Sequence, residues 1–146
     1  MALDPTWFAE TLVAQMADAV IYADAEGRIR FWNKAATRIF GFSASEALGQ
    51  SLDIIIPENL RQRHWVGYDE TLRTGKTRYG AGDLLAVPAL NRDGARISIE
   101  FTILPFRDPE GHMIGIAAVL RDVTRRFEET KAMRKKLAQL EGGTPA

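Results

Sequence analysis

The chain has 146 residues, 46% of them hydrophobic and 26% charged, with 19 Lys plus Arg against 19 Asp plus Glu. That describes one ordinary globular domain with flanking helices, and the even charge balance gives no electrostatic reason to expect nucleic acid or an anionic membrane as a partner. The absence of cysteine excludes disulfides, thiolate metal or haem ligation and flavin–thiol adducts, and it fits a reducing compartment.

Asp4-Pro5 reads as an N-cap followed by proline at the first helical position. Phe8, Leu12 and Met16 recur four apart, so the spacing predicts an N-terminal helix over 1–17 with one apolar stripe. Residues 19–24 (AVIYAD) are β-branched and aromatic, Ala25-Glu26-Gly27 supplies a turn, and residues 28–32 alternate polar and apolar: a hairpin. Asn33 caps a short helix ended by Gly41, and Ser43 with Glu46 forms a capping box that opens another. Pro57 starts a longer helix carrying Leu60, His64, Tyr68 and Leu72, stopped at Thr74-Gly75. Three extended segments follow, about 77–88, 97–106 and 113–123, joined by turns at Asn91–Gly94 and Asp108–Gly111. Strands joined by hairpins, with helices packed on one face, predict an α+β domain around one antiparallel sheet.

From Thr124 the chain turns charged and helical. Thr130, Met133, Leu137 and Leu140 step as a coiled-coil seam does; the alternative is a helix lying on its own domain. Gly142 to Ala146 reads as a disordered tail. No apolar run approaches the roughly 18 residues that span a bilayer, and the acidic N-terminus has no signal-peptide core, so a cytoplasmic location is expected.

Several short motifs come in a specific order: Asp18–Asp24, Gly27–Ala36 around Trp32-Asn33, Phe40-Gly-Phe-Ser43, Gly49, Pro57, Asp93-Gly94, Asp108–Gly111, Gly115 and Arg121-Asp-Val-Thr124. Together they resemble a PAS domain over most of the chain. The resemblance implies a PAS fold: a cupped five-stranded antiparallel sheet whose short helices enclose a pocket, flanked by N- and C-terminal helices. It implies a sensor or dimerisation module at 18–124, with a signalling helix at 125–141 leading to an output domain outside this chain.

The run Pro57–His64, with Gly67-Tyr68 soon after, resembles the haem-carrying helix of gas-sensing PAS domains. The resemblance implies haem b with His64 as the iron ligand; one extra residue separates His64 from Gly67 relative to the oxygen-sensing members. Neutral imidazole is a standard haem ligand, and its second nitrogen is normally held by a hydrogen bond. Leu60, Tyr68 and Leu72 would lie beside His64, with Leu85, Val87, Phe101 and Ile103 lining a dry opposite wall. By spacing alone, a lone helical histidine is more often a surface or half-buried residue than a ligand. His112, in a turn, reads as exposed.

Oxygen-sensing relatives carry an arginine where this chain has Leu85, which would favour CO or NO over O2 as the gas. Arg61, Arg63, Arg73 and Arg78 flank the region as propionate partners or as a solvated charged face, and Trp65 and Tyr79 as cap or packing. No nucleophile–base pair, phosphate loop or metal cluster is present, so no enzymatic activity is expected. The competing expectations are a haem-based gas or redox sensor, a cofactor-free homodimer built on the N- and C-terminal helices, and a redox sensor binding FAD.

Overall fold

Apolar residues at alternate positions build the sheet, and their register decides which of them meet. The computed structural model describes residues 2–77, 80 and 82–142. Five strands, β1 (Ala19–Asp24), β2 (Ile29–Trp32), β3 (Leu85–Leu90), β4 (Arg96–Arg107) and β5 (Met113–Asp122), form one sheet in the order β2-β1-β5-β4-β3. All neighbours are antiparallel. Opposed residues share a face. Ala19 stands opposite Leu120, which stands opposite Phe101, which stands opposite Leu85; Ile21 likewise shares its row with Ala118 and Ile103.

Helices accompany the sheet. They are α1 (Pro5–Gln15), α2 (Lys34–Phe40), α3 (Ala44–Ala47), α4 (Arg61–Thr74) and α5 (Thr124–Gly142), with 3₁₀ turns at Leu52–Ile55 and Glu58–Leu60. The starts of α1, α2 and α3 have local causes. The Asp4 carboxylate accepts from the Thr6 amide, and Ser43 and Glu46 make a reciprocal capping box. Asn33 does more than cap α2. Its Oδ1 accepts from the amides of Val20 (2.9 Å) and Ala36 (3.0 Å), and its Nδ2 donates to the carbonyls of Val13 (2.8 Å) and Asp18 (3.1 Å). One buried amide thus ties α1, β1 and α2 together.

The core sits at the β1–β2 end of the sheet. Phe40 and Ile29 are its largest fully enclosed side chains, each contributing about 1.5–3 kcal/mol by burial. Trp32 belongs to the core, with its indole N–H shared between Thr37 Oγ1 (3.1 Å) and the Phe42 carbonyl (3.0 Å). On the outer face Phe31, Leu104, Phe106 and Val119 remain exposed.

Three boundaries differ from the sequence reading. The third strand starts at Leu85, not near 77. Gly75 ends α4 at φ +71°, and the Gly80 amide donates to the Asp83 carboxylate (2.7 Å) before the strand begins; residues 78, 79 and 81 lie outside the described residues. The helix expected from Pro57 is a 3₁₀ turn before it becomes α4, because Leu60 bonds three residues back to Pro57. Gly142 belongs to α5, and the rest of the expected tail lies outside the described residues. No helix among the described residues is long and apolar enough to cross a membrane.

Candidate cofactor site

Positions 64, 68 and 72 are four apart, so a helix stacks them on one stripe, with position 65 beside it. α4 realises that stripe and lies against β5. Its fixed point is Tyr68, 7% exposed, whose hydroxyl donates to the carbonyls of Ala23 (3.2 Å) and Asp24 (2.5 Å) at the end of β1. Burial, helped by the nearby Asp24 carboxylate, pushes the Tyr68 pKa well above its ordinary value, so the hydroxyl stays a donor.

Trp65 supplies a second anchor. Its indole N–H donates to Asp53 Oδ1 at 2.7 Å, reaching back to the Leu52–Ile55 turn. Its six-membered ring lies over Gly27, where a Cβ would stand 2.2 Å from a ring carbon.

His64 completes a triangle of rings with these two. Its ring meets Trp65 edge-on, with centroids 4.6 Å apart and planes at 82°, and lies 5.7 Å from the Tyr68 ring at 35°. Its Nδ1 is buried and has no hydrogen-bond partner; among the described residues no other buried side-chain nitrogen or oxygen is left so. Burial lowers the His64 pKa, against a weaker upward pull from Asp53 and Asp69. The ring is therefore neutral near pH 7, the state in which imidazole binds a metal. An unpartnered buried nitrogen costs about 1–3 kcal/mol. That is the kind of group a haem iron would satisfy, so the residue present fits an axial ligand. No cluster of three or more metal-ligating side chains occurs among the described residues; haem ligation through one imidazole needs none.

Leu85, Val87, Phe101 and Ile103 share the inner face of β3 and β4. Phe101 packs on the core. Leu85 and Ile103 are half-buried and Val87 is 37% exposed, so this end of the sheet is the more open one. The structure thus groups His64, Trp65 and Tyr68 on α4, and those four residues on the sheet; no hydrogen bond or ring contact joins the two sets. Leu72 is half-buried on the last turn of α4, and Leu60 is half-buried in the preceding 3₁₀ turn.

Arg61 is committed to the backbone, donating to the carbonyls of Ile56 (3.0 Å) and Asp53 (3.3 Å). Arg63 and Arg73 are exposed, and Arg78 and Tyr79 lie outside the described residues. His112 is exposed beside Asp108. Surface hollows of about 360 and 590 Å³ lie elsewhere, the first beside Arg38 and Arg121, the second beside Asn59 and Arg96. Their arginines are already paired: Arg121 with Asp18, Arg38 with the Ala17 carbonyl, Arg96 with Asn59. Sequence reasoning missed the Asp53–Trp65–Gly27 contact. Nothing local signals it, since Asp53 sits in a short apolar run and Gly27 reads as a turn residue.

A family model described as the PAS fold matches residues 13–128. The sensor protein FixL of Bradyrhizobium diazoefficiens is 33% identical over 93 residues, 64% of this chain and 18% of that protein. The cell-division control histidine kinase PdhS of Brucella ovis is 31% identical over 134 residues, 89% of this chain and 12% of that protein. The chain therefore spans less than a fifth of the length of either relative. Among solved structures, a PAS domain from Colwellia psychrerythraea superposes with a TM-score of 0.72 at 20% identity, covering 84% of this chain and 99% of that one. A light-oxygen-voltage domain studied with a flavin analogue gives 0.63 at 16% identity, covering 93% and 98%.

Proposed function

Because the chain belongs to the PAS-fold family, we propose that it is a haem-binding sensor module, responding to a diatomic gas (CO, NO or O2) or to redox state and signalling through α5 to an output domain outside this chain. The observation that carries this reading is the buried, unpartnered Nδ1 of neutral His64. Resemblance to the sensor protein FixL over 93 residues supports it. Bound haem would supply an iron centre with a position open to a small gas.

This chain's own residues do the rest. His64 provides the ligand nitrogen from a helix whose tilt is pinned by Tyr68. Leu85, Val87, Phe101 and Ile103 would give the sheet side an apolar lining, and Leu85 would offer a gas ligand no hydrogen-bond donor, favouring CO or NO over O2. Output leaves through the β5–α5 junction. There the Ser98 amide of β4 donates to Thr124 Oγ1 (2.9 Å), and Arg126 pairs with Glu100. A shift of β4 therefore pulls directly on the root of α5. Similarity to a histidine kinase supports a kinase as the output partner, in the cytoplasm.

A second reading, a cofactor-free homodimerisation module, is favoured by the exposed Trp7, Phe8 and Leu12 of α1 and Met133, Leu137 and Leu140 of α5. Such a dimer is also compatible with the sensor. Absorption of the purified protein after haem or FAD feeding separates the readings. A Soret band lost in His64→Ala supports the haem sensor. A flavin spectrum, or no uptake of either, refutes it.

A further inference from the structure

A ligating imidazole usually has its free nitrogen tied to a carbonyl or carboxylate, which fixes the ring plane and tunes the metal bond. In His64, Nδ1 is the nitrogen left for iron, and the ring's contacts are aromatic neighbours, with no hydrogen bond from its other nitrogen among them. What holds its plane is aromatic contact, and the indole of Trp65 is the nearer ring, edge-on at 4.6 Å. That indole is itself immobilised at both ends. Asp53 takes its N–H at 2.7 Å, and the backbone of Gly27 lies under its six-membered ring so closely that a Cβ would not fit. Tyr68 adds a third side, 5.2 Å from Trp65, with its own hydroxyl tied to β1.

We propose that Trp65, locked by Asp53 and seated on Gly27, is the positioning residue for His64, setting the ring orientation that a backbone acceptor would otherwise set. The proposal rests on the haem reading for its purpose, but its geometry does not need haem. Asp53 acts on the orientation of the His64 ring through the indole, while its charge separately pulls the His64 pKa upward, so the variants are compared above that pKa, where the ring is neutral in each.

Asp53→Asn keeps an oxygen acceptor for the indole and removes the charge; Asp53→Ala removes both; Trp65→Phe keeps a ring and removes the N–H. In haem-loaded protein, Asp53→Ala and Trp65→Phe should shift the iron–histidine stretching band and speed haem transfer to a scavenger protein about 10–100-fold, as loss of an outer-shell partner does. The double variant should go no further than either single one, and Asp53→Asn should match the wild type. In haem-free protein, the His64 ring carbon and proton resonances should move in Asp53→Ala and stay put in Asp53→Asn. Asp53→Ala behaving as wild type, or Asp53→Asn shifting as far as Asp53→Ala, overturns the proposal. If the wild-type protein takes up no haem, the sensor reading falls, while the haem-free resonances still decide the role of Trp65. If Trp65→Phe does not fold, the two Asp53 variants decide it.

Discussion

Replacing Gly27 by alanine adds one methyl group where two separate penalties act. The residue has φ +77°, a left-handed conformation that costs an L-residue roughly 1–2 kcal/mol. The added Cβ would also stand 2.2 and 2.3 Å from two carbons of the Trp65 ring, so the indole must move. Moving it breaks the N–H bond to the Asp53 carboxylate, a charge-assisted bond worth about 1.5–3 kcal/mol. The sum is about 2.5–5 kcal/mol. Gly94 provides the control, since its φ is +80° and a Cβ there meets nothing within 4 Å. Gly94→Ala should lose only the backbone part, about 1–2 kcal/mol. Urea denaturation followed by circular dichroism measures both variants against the wild type, with equal m-values confirming a common unfolded state. Equal losses for the two alanine variants would refute the seating of Trp65 on Gly27, and with it the anchoring of His64.

Asn33→Asp tests the four-way amide. The aspartate keeps the acceptor for Val20 and Ala36 but turns a lone pair toward the Val13 and Asp18 carbonyls, costing about 2–6 kcal/mol for two buried groups left without donors; a thermal melt showing under about 1 kcal/mol would mean the tie is dispensable. Asp24 predicts an acid-dependent term. Burial opposes its charge, but the Arg30 hydrogen bond and the Arg28 and Glu26 amides outweigh it, so its folded pKa lies below the ordinary 3.8. A lowered carboxylate pKa adds stability above the unfolded value and loses it as pH falls through the folded one. The stability gap between wild type and Asp24→Asn should therefore be full at pH 6 and shrink below about pH 3.8. A gap unchanged by acid, read from paired melts, would discount the ion pair with Arg30.

What the sequence disclosed was chemistry acting over a few residues. Asp4-Pro5, the Ser43–Glu46 box, the Asn33 cap and the hairpin turns all stand where local rules put them, because each is decided by its own neighbours. The five strands followed from alternation. β3 was drawn too long because the Gly80–Asp83 turn depends on where α4 ends, which propensity does not see. At the site, helical spacing put His64, Tyr68 and Leu72 on one stripe but not what that stripe would meet. Helical spacing gave no sign that the Tyr68 hydroxyl would bond the chain end of β1. Trp65 depends on Asp53 and Gly27, residues brought to it only by the completed fold.

The junction at Thr124 has a mechanical consequence. Thr124 Oγ1 accepts from Ser98, its hydroxyl donates to Asp122 at 2.5 Å, and the Val123 amide donates to the Ser98 carbonyl at 2.9 Å, while no residue of α5 is buried. The helix is thus clamped at one end and free along the rest. Its 19 residues extend about 28 Å at 1.5 Å per residue. A rigid rod of that length sweeps its tip about half an ångström for each degree of rotation at the clamp. Displacements near Ser98 too small to disturb the sheet are thereby magnified into ångström-scale travel at the far end, where a neighbouring domain would meet it.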